Sequence, residues 1–177
     1  MANNADILGE EAAVRQIVEN DFSATNGVFR DDSTTFIKRA STFRFKTTLY
    51  KLLLPGLNSI IETNGVYGCY NLTLADIGGC TRLQGTVFMD DSALIALIIR
   101  KTDAVTMLTN VNVFQNTKYA TNGAGGAYVY VPRDLISTYQ AATNWATLYA
   151  AHSDMFRPLE DYTVDGTTTG DFDESKL

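Results

Sequence analysis

Three hexapeptides decide the reading of the chain: Leu49-Tyr50-Lys51-Leu52-Leu53-Leu54, Leu72-Thr73-Leu74-Ala75-Asp76-Ile77 and Leu94-Ile95-Ala96-Leu97-Ile98-Ile99. Each is apolar at its first, fourth and sixth positions, and the leading leucines lie 23 and then 22 residues apart. The fourth and sixth positions are two apart, so on a strand each pair points to one face. An aromatic residue keeps the same beat five or six positions upstream, at Phe43, Tyr67 and Phe88, and Phe114 closes the series. Leu49, Leu52, Leu54, Leu72, Ala75, Ile77, Leu94, Leu97 and Ile99, with these four aromatics, form the expected repeat core.

A period of 22–23 residues falls in the range of leucine-rich repeats, whose short strands stack side by side to share one core. The expected fold is mainly β with short helices (α+β): a short, irregular leucine-rich-repeat solenoid with an N-terminal cap and a helical C-terminal cap. Residues 1–32 read as a leader, cap or attachment segment, and 33–120 as the stack. Residues 121–160 read as a strand plus the helical cap, and 161–177 as an acidic tail or hairpin arm.

The totals narrow the function. A chain of 177 residues is long enough for one domain with a real core. A net charge of -6 argues against nucleic acid and against membrane binding through basic residues, both of which need a cationic face. Met1 to Asp6 offers neither the basic start nor the apolar run of a signal peptide. The longest apolar run, Ala93 to Ile99, is too short to cross a bilayer. Cys69 and Cys80 make no disulfide framework; they read as buried, reduced fillers, with pairing across neighbouring repeats as the alternative.

Asp6 to Glu19 has the caps and apolar face of a short helix, with a starting strand over Val14 to Val18 as the competing reading. Asp21 to Thr35 reads as loop, turning at Asn26-Gly27. Towards the other end, Tyr128 to Val131 alternates as a strand and Pro132 opens a helix carrying Leu135, Tyr139 and Ala142. A second helix, capped by Thr143 or Asn144, carries Trp145, Leu148 and Tyr149 and runs until Pro158 stops it. Trp145 is the expected anchor of this cap. The tail has few apolar residues, which predicts a mobile end.

No catalytic constellation emerges. The single histidine, His152, is expected on the solvent side of its helix, and Ser153 and Asp154 are only its chain neighbours. Two cysteines eleven apart do not make a zinc site. The loop Asn122 to Gly126 lacks the Lys-Ser/Thr of a phosphate loop and precedes a strand. Asp90-Asp91 and Glu160-Asp161 read as solvated turn carboxylates, and Asp165 to Glu174 does not follow calcium-loop spacing. No cofactor or metal is called for.

The units resemble leucine-rich repeats of the BspA type, aromatic-x-Cys-x-x-Leu-x-x-Leu-x-Leu-Pro. Tyr67 to Leu72 matches the front of that pattern one residue short, and Leu49 to Pro55 its back. On this alignment Phe45 and Asp90 stand where Cys69 stands. Tyr128-Val129-Tyr130-Val131-Pro132, Ala141 to Trp145 and Leu159 to Gly170 are similar to the ending of such proteins encoded by phages and prophages. The resemblance spans Phe36 to the C-terminus and implies a non-enzymatic accessory virion protein, a head fibre or decoration or a tail fibre or tip. It further implies a homo-oligomer, with a trimer favoured by particle symmetry. Its implied partners are other virion proteins and a host cell-surface glycan or protein. A bacterial surface or scaffold binding module is the alternative, and a polysaccharide-degrading virion enzyme a third reading. No residue can be assigned to binding from sequence.

Overall fold

The computed structural model describes residues 27–37 and 43–177, together with the backbone of Arg15–Gln16. It is a mixed α/β structure with parallel strands and few short helices. Strands β1 (Arg15–Gln16), β2 (Val28–Arg30), β3 (Thr34–Phe36), β4 (Lys51–Leu53), β5 (Ile60–Ile61) and β6 (Leu74–Asp76) come first. They are followed by β7 (Arg82–Leu83), β8 (Ala96–Ile98), β9 (Met107–Leu108), β10 (Tyr128–Val131) and β11 (Phe156–Pro158). A wide parallel sheet runs β2-β4-β6-β8-β10-β11 and a narrow one β5-β7-β9, while β1 pairs with β3. Both larger sheets follow chain order, and from β4 to β9 the chain lays strands alternately on the wide and the narrow sheet.

The ladder explains which residues are buried. Phe29, Leu52, Ala75, Leu97, Val129 and Phe156 are successive register partners across the wide sheet. All are buried, as are Leu54, Ile77, Ile99 and Val131 two residues on, and the leading Leu49, Leu72 and Leu94. Facing them, the narrow sheet stacks Ile61, Leu83 and Leu108, with Ile37 bridged to Ile61. Burying each such side chain contributes roughly 1.5–3 kcal/mol.

One aromatic of the expected core is displaced. Phe45, Gly68, Asp90 and Asn116 all have positive φ, between +58° and +76°. The amides of Phe45, Gly68 and Asp90 donate to the carbonyls of Tyr67, Met89 and Gln115. The buried column is therefore Phe43, Val66, Phe88 and Phe114, and Tyr67 lies half-buried on the surface. The shortened second repeat slips the aromatic by one place. By the same register Cys69 stands over Lys46 and under Asp91, rather than level with Phe45 and Asp90.

The N-terminal reading changes as well. Arg15–Gln16 is a strand beside β3, whereas a helix was the expectation over Asp6 to Glu19. The remainder of that stretch lies outside the described residues. The expected loop over 21–35 contains β2 and β3, and β2 already belongs to the wide sheet. Both strands are three residues long, too short for alternation to show.

At the other end, α1 (Ile136–Ala141) and α2 (Trp145–Ala151) close the stack. Trp145 is fully buried, with the rings of Phe114, Tyr139 and Phe156 5.5–5.8 Å away. The second helix ends at Ala151, and Pro158 instead ends β11. That strand was not anticipated; its Phe156 completes the inner column, and the Met155 carbonyl accepts the Val129 amide at 2.7 Å.

The tail is folded, against the expectation of a mobile end. Leu74, Ala96, Ile98 and Tyr130 point away from the main core, yet each is at most 2% exposed. Leu159, Tyr162 and Phe172 pack over them, with Tyr162 and Phe172 edge-on to Tyr130 at 4.7 and 4.8 Å. Arg100 fastens the arrangement. Its guanidinium pairs with buried Asp76 at 2.7 Å and donates to the carbonyls of Thr168 and Gly170 at 2.7 and 2.8 Å. Lys51 meets Glu174 at 2.7 Å at the far end. Replacing Arg100 by Met strands the Asp76 carboxylate, so a loss of about 3–5 kcal/mol is expected in urea unfolding. Limited proteolysis of that variant should cut first between Val164 and Asp171; an intact tail would show that the latch is elsewhere.

Candidate binding surface

The outward face of the wide sheet is closed by the chain's own tail, which leaves the corners between coils as exposed surface. At one corner, Phe45 and Tyr70 are 48% and 47% exposed. The Arg44 guanidinium lies 4.7 Å from the Phe45 ring centroid and 5.5 Å from that of Tyr67. Those two rings meet edge-to-face at 4.9 Å. The corner is held from beneath: a Cβ on Gly68 would come within 2.5 Å of the Phe45 ring. Asn71 donates to the Thr47 carbonyl at 2.8 Å. The neighbouring Asp90 carboxylate raises the Tyr67 pKa, and Asn116 donates to that carboxylate at 2.7 Å.

A groove of about 590 Å³ lies between β9 and the α1–α2 turn, lined by residues including Met107, Thr143 and Trp145. β9 is the edge of the narrow sheet, and such an edge invites a further strand. Here cap side chains occupy it. The Thr106 amide donates to the Tyr139 hydroxyl, Trp145 Nε1 donates to the Thr106 carbonyl, and Asn144 donates to that of Leu108.

The residues weighed for chemistry are dispersed. His152 Nε2 lies 2.7 Å from the Ala120 carbonyl, half-buried and away from the expected solvent position. Its ring also abuts Gly125, so the histidine clamps the glycine-rich loop. Ser153 and Asp154 are exposed, and Asp154 faces Arg157. Glu160 accepts the Arg133 amide at 3.1 Å, capping the turn before α1, while Asp161 pairs with the Arg133 guanidinium. Asp165 accepts from Thr167 inside the tail turn. Among the described residues no group of three or more His, Cys, Asp or Glu could hold a metal ion, and no helix is long and apolar enough to cross a membrane.

Cys69 and Cys80 are both free and buried. The Cys69 thiol donates to the Phe43 carbonyl at 2.6 Å and that of Cys80 to the Arg82 carbonyl at 3.4 Å. Burial pushes both pKa values up, Cys80 to about 12, so neither forms thiolate at neutral pH. A thiol-specific disulfide reagent should therefore titrate no thiol in the native protein and two after denaturation; prompt native reaction would contradict the packing.

Asp91 was expected in solvent and is fully buried. One carboxyl oxygen accepts the Cys69 amide at 2.6 Å, and the other has no partner. Asp91 stands in the corner column of Lys46 and Cys69, directly after buried Cys69, so its inward direction follows from the register rather than from polarity.

No protein-family model, no curated protein and no solved structure matches the chain.

Burial raises the Asp91 pKa well above the usual carboxylate value, against the opposing pull of the Cys69 and Gly68 amides. The folded state therefore binds a proton where the unfolded chain has already released it, and stability falls as pH rises from the unfolded pKa through the folded one. Asp91→Asn keeps an acceptor for the Cys69 amide and removes that dependence. Urea midpoints from pH 4 to 8 should show the wild type losing ground to the variant; parallel profiles would refute the assignment.

Proposed function

We propose that the chain is an accessory structural protein of a phage particle, a head fibre or decoration or a tail fibre or tip, that presents a leucine-rich-repeat surface of the BspA type. The observation that carries this reading is the in-register stack of coils at a 22–23-residue pitch, joined to one C-terminal closing unit. The stack holds its corner residues on a rigid frame, which suits a displayed binding surface. The run whose sequence resembles phage-encoded endings, from Tyr128 to Gly170, makes the last wide-sheet strands, both helices and the tail turn gripped by Arg100. A segment of that kind belongs to the architecture of the whole chain, which supports reading the resemblance as one of folds and not of scattered residues.

In this reading the particle contact is made by an end of the stack, and the exposed corners face outward towards a host-surface glycan or protein. Assembly as a trimer follows the symmetry of fibres.

Quantitative mass spectrometry on gradient-purified particles, released from cells that carry the gene, tests the proposal. The chain is expected at a fixed copy number that survives a high-salt wash. Copies in step with the capsid lattice would assign it to the head, and low multiples of three or six to the tail. Absence from intact particles, with the chain recovered free in the lysate, would overturn the reading.

A further inference from the structure

We propose that the corner formed by Arg44, Phe45, Tyr67 and Tyr70 binds a glycan bearing isolated carboxylates, with Arg44 taking the carboxylate and the rings taking the sugar faces. The proposal rests on the displayed-surface reading above and names the ligand class for it.

Phe45 is the leading observation. At the equivalent corner the next three coils place Gly68, Asp90 and Asn116, residues that tolerate or favour positive φ. Phe45 takes the same conformation at φ 58° with a bulky ring, which costs about 1–2 kcal/mol, and that ring is half exposed. The buried column does not account for the choice, because its place in this coil, two residues earlier, is already filled by Phe43. An aromatic kept in a disfavoured conformation at the surface is explained by what it presents to solvent.

Arg44 adds the charge. It is exposed, its face is engaged by two rings, and it forms no ion pair among the described residues. The N–H donors around its rim are therefore left for a ligand, and their fork matches a carboxylate. Tyr70, near enough to Tyr67 to interact with it electrostatically, offers a second half-exposed ring, and Asn71 an exposed amide side chain. Ring faces for apolar C–H surfaces, with hydroxyl and amide groups at their edges, suit a saccharide.

The net charge sets the kind of acid. A chain of charge -6 repels a dense polyanion, whereas a lone carboxylate meets one cation at short range. A sparsely acidic glycan is thus favoured over a heavily sulfated one.

The test is ligand-observed NMR with the full chain and five probes: sialyllactose, a hyaluronan octasaccharide, lactose, chitohexaose and heparin. Saturation transfer is expected to a carboxylated glycan in preference to the neutral ones and to heparin. Arg44→Gln, Phe45→Asn and Tyr70→Ala should each weaken that binding by roughly tenfold, the loss of one charge-assisted contact or one stacked ring. Phe45→Asn suits the positive φ, so it should raise the unfolding midpoint while it lowers binding, a split that a purely structural role would not produce. Met107→Ala, at the distant groove, should bind as the wild type does. The proposal is overturned if no carboxylated glycan binds, if heparin or the neutral sugars bind better, or if the corner variants bind unchanged. A chain found in purified particles that binds no glycan would sink this inference and leave the virion reading standing.

Discussion

Parallel backbone pairing in chain order is the constraint from which the rest of the molecule follows. Each strand of the wide sheet hydrogen-bonds to the strand one coil earlier, and in β4, β6 and β8 a residue sits directly above its counterpart 22 or 23 positions back. Like then stacks on like, and the protein is a set of columns. Apolar columns build the core from Phe29 through Leu97 to Phe156. Polar columns bind coil to coil at the surface, as when Thr73 and Thr81 donate to carbonyls one coil earlier. The slipped Tyr67 shows the rule at work, since the pairing keeps Val66 in the column and sends the tyrosine outside.

The same pairing creates two liabilities. A parallel sheet tolerates little wetting on either face, and a stack has open ends. The tail answers the first with three apolar side chains, set in place by the Arg100–Asp76 pair. That pair is nearly dry, and its stability rests on satisfying the guanidinium with the carbonyls of Thr168 and Gly170 as well as with the carboxylate. The cap answers the second with side chains in place of another strand. Tyr139 and Trp145 each make one hydrogen bond to Thr106, just before β9, and Asn144 one to Leu108 in it, so the edge is finished without being extended.

What the sequence made legible was the period and what it costs to break it. The leucine triplets, their inward pairs and the buried Trp145 could all be read from spacing and residue type. The place of the tail is not legible because the strand face it covers lies far back along the chain. The signal was nonetheless present: Leu74, Ala96, Ile98 and Tyr130 are apolar at positions that would otherwise be wet, and only a covering segment explains them. Asp91 and β11 had no such signal. A carboxylate buried by register looks like any turn aspartate, and a three-residue strand after a helix has no alternation to detect. The corner of Arg44 and Phe45 was equally hidden, because positive φ at Phe45 is a property of its column and shows only when Gly68, Asp90 and Asn116 are seen above it.

The closing of one face changes what the other surfaces can do. Were the wide sheet open, its apolar outward column would be the natural place for a partner, and binding would be driven by area. With the tail seated there, one corner still presents exposed rings and a cation on a backbone tied down on three sides, by the Tyr67 carbonyl, by Asn71 and by the close floor of Gly68. A site of this sort offers little area but loses little conformational freedom on binding. The proposed ligand is of the matching kind, one that supplies direction, a flat sugar face and one charge, in place of a partner that needs a broad apolar footprint. The strain held at Phe45 is sustainable for the same reason: its amide bond to the Tyr67 carbonyl of the next coil determines the turn before the side chain is considered.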